Sequence, residues 1–297
     1  MKEILLLGAN GFVGKNLKEF FQTDCPQLHL TSPGSRELNL LDEESVKRFL
    51  QRKQFDVVIH AAIGNPLRDS FHASVGELEQ DLKMFFHLEK YHDLYGRMLY
   101  FGSGAEFDKR NGICAVSDLG FVNGVPESSY GLAKYIIGKA IETSANIYNF
   151  RIFGLFGKYE NWRTTFISGS CCKALKGLPI TIRQNVFFDY LYIGDFCRAV
   201  GWFIEHETRF HTYNVTSGRR DDLLSIAETV KRLSGADVPI YLCREGLGNE
   251  YTASNRRLLE EYPDFAITRL DDAITALLEY YKTILDTIDL YSLLYQN

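Results

Sequence analysis

The chain has 297 residues, 45% apolar and 24% charged, which is enough apolar side chain to close a core and excludes disorder as its main state. Its 33 basic and 38 acidic residues give a net charge of −5. With no basic run, nucleic acid and anionic membrane surfaces are excluded as expected partners.

No apolar stretch reaches the ~20 residues that cross a bilayer, and the opening Ile4–Leu7 run is too short for a signal peptide. The six cysteines show no C-x-x-C spacing and read as reduced thiols. A cytoplasmic protein without bound metal is expected.

The first half alternates short apolar runs with amphipathic stretches. Strands are expected at Ile4–Leu7, Leu28–Thr31, Phe55–His60, Arg97–Gly102 and Tyr148–Phe153. Helices are expected at Phe12–Phe21, Asp42–Lys53, Val75–Tyr95 and Glu127–Ile147. Strand–helix alternation with unbroken apolar strands predicts an α/β fold on a buried parallel sheet. In the second half, strands are expected at Gly177–Ile182, Phe188–Ile193, Tyr213–Thr216 and Asp237–Leu242. Helices are expected at Thr164–Leu175, Asp195–His206, Asp222–Leu233 and Leu270–Leu285.

Gly8-Ala9-Asn10-Gly11-Phe12-Val13-Gly14 joins the first strand to the first helix. Glycines at this spacing let backbone N–H groups approach a pyrophosphate, and the helix N-terminus faces the anion with partial positive charge. The strand–turn–helix context points to a dinucleotide loop. After the second strand no carboxylate appears before Glu37, so the usual ribose partner in NAD sites is missing there. Ser35 and Arg36 suit a 2′-phosphate instead. NADP is expected, with NAD as the alternative. Asn39 and Leu40 fall where an adenine edge would lie.

Tyr130 and Lys134 stand at i and i+4, on one face of a helix. A phenol is a poor base near neutral pH, and a neighbouring ammonium favours the phenolate. Such a pair suits proton transfer to or from a hydroxyl or carbonyl oxygen beside a nicotinamide.

Together, Gly8, Gly11, Gly14, Tyr130 and Lys134 resemble the extended short-chain dehydrogenase/reductase family of nucleotide-sugar epimerases, dehydratases and reductases. The resemblance runs over nearly the whole chain. Val58-Ile59-His60-Ala61-Ala62 looks like its third strand, ending at the cofactor-lining Ala61 and Ala62. Arg151–Gly157, Phe188–Asp195 and Tyr213-Asn214-Val215 are similar to later family segments. The implied architecture is a Rossmann-type doubly wound sheet. Residues 1–157 would bind the dinucleotide, with 187–216 returning to that domain. Residues 158–186 and 217–297 would form a nucleotide-sugar lobe. A homodimer is implied as well.

Members place a Ser or Thr after the fourth strand, and here either Ser103 or Gly104 takes that place. Ser103 is the expected catalytic hydroxyl, and the alternative reading is a loop serine that caps a turn. Ala105 replaces the acid that dehydratases carry, leaving Glu106 alone, and Phe188 replaces a common Arg. Asp81 stands where many members have Asn. Phosphate anchoring is then left to Arg183, Arg163 or Lys158. Glu106, Tyr159, Asn161 and Trp162 complete the expected substrate contacts.

Ser35–Asp42 looks most like the GDP-fucose synthase branch, which uses NADPH. That branch's epimerising Cys and His are absent: Ala105 and Glu106 replace the Cys region, and Thr164–Ile167 lies where the His would be. The resemblance therefore implies NADPH-dependent reduction of a 4-keto sugar nucleotide. The alternatives are a 4-epimerase with tightly held NAD(P) and a non-catalytic cofactor-binding regulator.

Overall fold

The computed structural model describes residues 2–64, 76–118 and 124–294. Its first half runs β1 Glu3–Leu7, α1 Phe12–Asp24, β2 His29–Thr31, α2 Glu43–Arg52, β3 Phe55–His60, α3 Glu77–Glu89 and β4 Tyr95–Ser103. It continues with β5 Ile113–Val116, α4 Ser129–Ile141, β6 Ile147–Ile152 and β7 Gly154–Phe156. The second half runs α5 Phe166–Leu175, β8 Ile180–Asn185, β9 Phe187–Phe188, β10 Tyr190–Tyr192, α6 Ile193–Glu205 and β11 Thr212–Asn214. Then come β12 Asp221–Asp222, α7 Leu223–Ser234, β13 Ile240–Leu247, β14 Tyr251–Ala253, α8 Arg256–Glu261, α9 Leu270–Thr283 and α10 Leu290–Leu294.

Six strands form one parallel sheet in the order β11-β6-β4-β3-β1-β2. The order steps outward from β1 in both directions, as in a doubly wound fold. Side chains alternate across the sheet. Ile4, Leu6, Leu99 and Phe101 pack with α1 and α6 on one face. Leu5, Leu7, Met98 and Tyr100 pack with α2, α3 and α4 on the other. A separate apolar core gathers α5, α7 and α9 around Ile180 and Ile182. A small aromatic cluster of Phe107, Ile113 and Tyr251 lies where β5 pairs with β14.

Several elements differ from the sequence pattern, three of them for reasons the packing shows. The helix expected over Val75–Tyr95 ends at Glu89, because Tyr95 pairs with Phe55 as the first residue of β4; Val75 lies outside the described residues. The helix expected to reach Ile147 stops at Ile141, and Ile147 joins the sheet opposite Met98. The strand expected over Phe188–Ile193 is split at Asp189. The Asp189 carboxylate turns inward to accept bonds from the Ser217 N–H and hydroxyl and from the Gly218 N–H. Among the described residues no helix is long and apolar enough to cross a membrane.

Candidate active site at the carboxyl edge of the sheet

Gly8 leaves β1 with φ +81°, and a Cβ there would lie 2.6 Å from the Ala61 carbonyl carbon and the Ala62 nitrogen. A Cβ on Gly14 would stand 2.2 Å from the Gly8 oxygen, so the helix packs directly onto the turn. Gly11 differs: its nearest neighbour would be the Gly8 oxygen at 3.5 Å, so its outer side is open. Helix α1 begins without a side-chain cap and without an acid in its first turn. Its first N–H groups and the positive end of its dipole are thus left for an external anion. Two glycines fix a close approach and the third stays clear, so the turn fits a dinucleotide pyrophosphate. Asn10 is exposed beside it, and Phe12, Val13, Ala61 and Ala62 are half-buried.

After β2 the chain folds into a turn in which the Glu37 and Leu38 N–H groups bond the Gly34 carbonyl at 2.9 and 3.0 Å. Ser35 and Arg36 project from its tip and are exposed. Asn39 is exposed too, with its side-chain Oδ1 accepting from the Leu41 N–H at 3.1 Å. The half-buried Leu40 bonds His87 Nδ1 through its carbonyl. Buried Asp81, on α3, accepts from the Gly64 N–H at 2.6 Å and so ties that helix to the segment after β3.

Helix α4 starts where Ser128 accepts a bond from the Gly131 N–H at 3.1 Å. This places Tyr130, half-buried, in its first turn. Lys134 lies one turn deeper and is 2% exposed. Its ammonium donates to the Tyr100 hydroxyl and to the Phe101 carbonyl, both at 2.8 Å. The Lys134 nitrogen is 5.6 Å from the centre of the Tyr130 ring. His60, buried at the end of β3, meets Tyr100 edge-on at 5.4 Å. Burial, and secondarily the Lys134 charge, push His60 down to about 3. The imidazole therefore stays neutral.

The turn after β4 is a reciprocal cap. Ser103 Oγ accepts from the Ala105 N–H at 3.1 Å, and Glu106 accepts from the Ser103 N–H at 3.3 Å. Glu106, expected among the substrate contacts, is fully buried. It receives Arg151 Nε at 2.6 Å and Asn149 Nδ2 at 3.0 and 3.2 Å. The carboxylate thus faces the interior, and both of its oxygens accept from protein donors. A Cβ on Gly104 would lie 2.5 Å from the Tyr251 hydroxyl oxygen and 2.6 Å from the Phe153 ring.

A cleft of about 230 Å³ opens beside Tyr130, walled by Ser128, Ala105 and Phe107 and rimmed by Lys109 and Arg110. The remaining expected substrate residues lie elsewhere. The Tyr159 hydroxyl and the Lys158 ammonium both bind Glu19 on α1. Asn161 shapes the turn before α5 by accepting from the Arg163 N–H and the Thr165 hydroxyl. Trp162 is 8% exposed and belongs to the α5–α9 core, with the Arg163 guanidinium 4.3 Å over its ring. Arg183 is exposed on β8.

Sequence patterning singled out neither Tyr100 nor Tyr251. Alternation along β4 was the available signal for Tyr100, since it faces α4. Tyr251 arrives from a strand more than a hundred residues away, and no spacing rule announces it.

The sequence model described as "NAD dependent epimerase/dehydratase family" matches residues 4–216. No curated protein matches the chain in sequence. Among solved structures, a GDP-L-fucose synthetase from Naegleria fowleri bound to NADP aligns with TM-score 0.81 and 18% identity, covering 96% of this chain and 94% of that one. A UDP-glucose 4-epimerase from Thermotoga maritima aligns with TM-score 0.80 and 16% identity, covering 95% and 99%. A GDP-mannoheptose C4 reductase from Campylobacter jejuni with NADP bound gives TM-score 0.76 and 15% identity, covering 95% and 98%.

Proposed function

The chain belongs to the NAD dependent epimerase/dehydratase family, and from that premise we propose that it binds NADP and reduces a 4-keto sugar nucleotide. The observation that carries this reading is the placement of Tyr130 on a cleft wall with the Lys134 ammonium 5.6 Å from its ring. The glycine turn and the uncapped start of α1 would hold the pyrophosphate. Exposed Ser35 and Arg36 would take the 2′-phosphate, Asn39 and Leu40 the adenine edge, and Ala61 and Ala62 would line the cofactor. When bound, the dinucleotide supplies the hydride.

The protein's own task is to manage the oxygen. Tyr130 donates its hydroxyl proton to the alkoxide developing at the keto oxygen. Lys134, held by Tyr100 and the Phe101 carbonyl, stabilises the phenolate left behind and would hold the nicotinamide ribose. Ser103 stays a candidate for orienting the substrate. Residues 158–186 and 217–297 would supply the nucleotide-sugar lobe. The chain would pair as a homodimer through α3 and α4, where Phe86 is exposed; a monomeric mass by analytical ultracentrifugation would refute the pairing.

The test is to mix purified protein and NADPH with GDP-, CDP-, UDP- and dTDP-4-keto-6-deoxysugars. Stoichiometric NADPH oxidation is expected with one of them. Tyr130→Phe should lower kcat by about 10²–10⁴-fold while leaving NADPH affinity unchanged. Interconversion of sugar epimers without net NADPH oxidation would establish the epimerase alternative instead. A Tyr130→Phe protein as active as wild type would refute the proton donor.

A further inference from the structure

An ammonium taken out of water is held by whatever oxygens accept its hydrogens. Lys134 is 2% exposed, and its nitrogen donates to the Tyr100 hydroxyl and the Phe101 carbonyl, each at 2.8 Å. It also lies 4.4 Å from the centre of the Tyr100 ring and 5.6 Å from that of Tyr130. Among the described residues no carboxylate pairs with it, and Tyr100 is the one side chain that accepts from it. The charge is left unneutralised beside the Tyr130 phenol, and a neutral hydroxyl fixes where it stands.

Tyr100 is itself fixed. It is 2% exposed on β4, with the Phe85 ring of α3 at 5.3 Å and the His60 ring of β3 at 5.4 Å, both edge-on to it. Neither His60 nitrogen has a hydrogen-bond partner among the described residues, so the imidazole does not compete for the Tyr100 oxygen. Being neutral, it also adds no charge beside Lys134. The buried or cleft-lining charged groups around α4 pair elsewhere. Glu106 and Arg151 bond each other, Asp81 on α3 accepts from the Gly64 N–H, and Asp108 and Glu127 both bond Arg110. Glu77, buried on α3, and Lys109, on the cleft rim, are not bonded to Lys134 either.

We propose that Tyr100 is a positioning residue: its hydroxyl oxygen anchors the Lys134 ammonium at a fixed distance from Tyr130 and so sets how strongly that charge acts on the phenol. Its bearing on catalysis rests on the reductase reading above, in which that phenol is the proton donor. Two of the three ammonium hydrogens are spent inside the protein, which leaves one for the cleft. A lysine stem is long and flexible, so without the Tyr100 oxygen only the Phe101 carbonyl restrains the charge. The averaged attraction between ammonium and phenolate then weakens, and the phenol becomes a weaker acid. Tyr100 is not on the cleft wall and acts only through Lys134.

The test titrates Tyr130 itself. In ¹³C-tyrosine-labelled protein its ζ-carbon signal is assigned by its disappearance in Tyr130→Phe, and its midpoint is read against pH. Lys134→Met removes the charge and marks the upper end of the scale. Tyr100→Phe keeps the ring, its edge-on neighbours and its π-face and removes only the oxygen. Its Tyr130 midpoint should lie about one pH unit above that of wild type and below that of Lys134→Met. Turnover should follow. In Tyr100→Phe the alkaline limb of NADPH oxidation should move to higher pH and kcat should fall by up to about tenfold, with the sugar KM within a few-fold of wild type.

A Tyr130 midpoint in Tyr100→Phe at or below that of wild type would overturn this proposal alone. So would a kcat loss that accompanies a lower melting temperature with the midpoint unmoved, which would mark a purely structural role. Equal midpoints in wild type and Lys134→Met would overturn it as well, because the charge would then not act on the phenol. The midpoints require no substrate. Should they fall in the expected order while wild type oxidises no NADPH with any keto sugar, the reductase reading fails and the anchoring of Lys134 stands.

Discussion

Stranding one charge of the buried Glu106–Arg151 pair should cost far more than removing both. Glu106 is fully buried, Arg151 is 1% exposed, and their contact is 2.6 Å. Among the described residues, Arg151→Met leaves the carboxylate with Asn149 and the Ser103 N–H as partners. Breaking a buried pair in this way costs about 3–5 kcal/mol. At about 2–4 °C per kcal/mol for a sizeable domain, Arg151→Met should melt roughly 6–20 °C below wild type. Glu106→Leu combined with Arg151→Met strands no charge and should recover a large part of that loss. Glu106→Gln keeps the shape and an acceptor oxygen and should fall between. Thermal unfolding followed by far-ultraviolet circular dichroism at neutral pH measures all four proteins. If Arg151→Met melts within about 2 °C of wild type, or the double variant melts no higher than Arg151→Met, the reasoning fails. Unchanged stability in Glu106→Gln with a large rise in sugar KM would return Glu106 to the substrate contacts.

Three further outcomes follow from the same geometry. Gly14→Ala drives a Cβ to 2.2 Å from the Gly8 oxygen, so calorimetric titration should show weakened NADPH binding alongside about 1–3 kcal/mol of lost stability; wild-type affinity would contradict the assigned cradle. Arg36→Ala should raise the NADPH dissociation constant by roughly 10–100-fold, the worth of a charge-assisted bond, and leave that for NADH unchanged; equal effects on both would remove Arg36 from 2′-phosphate recognition. Glu160, bonded by the Ser168 hydroxyl, is pushed by burial from 4.5 up to about 8. The folded state therefore holds an extra proton between those values, and this contribution to stability is full below pH 4.5 and is lost as pH rises through about 8. Glu160→Gln should flatten the fall of melting temperature over that window, and an unchanged slope would show that another group is responsible.

The sequence by itself determined the elements whose reasons are local. The apolar run at β1, the glycines that follow it and the i, i+4 spacing of Tyr130 and Lys134 were legible because a turn, a helix start and a helix face are each set within a few residues. The same local signals placed the strand–helix alternation, and with it the doubly wound sheet. They misjudged boundaries where two elements compete for one apolar residue, as Tyr95 and Ile147 show by joining the sheet rather than the helices.

What only the tertiary structure decided was the fate of side chains whose partners lie far along the chain. Glu106 reads as a candidate substrate contact until Asn149 and Arg151, two strand-mates 43 and 45 residues away, enclose it. Trp162 reads as a pocket aromatic until α5 and α9 close over it. A Cβ on Gly104 would meet the Tyr251 hydroxyl oxygen at 2.5 Å, a contact made only by the packing of β14. Burial and saturation of hydrogen bonds are properties of the packed chain, so no spacing in the sequence encodes them, whereas backbone turns and helix faces are written residue by residue.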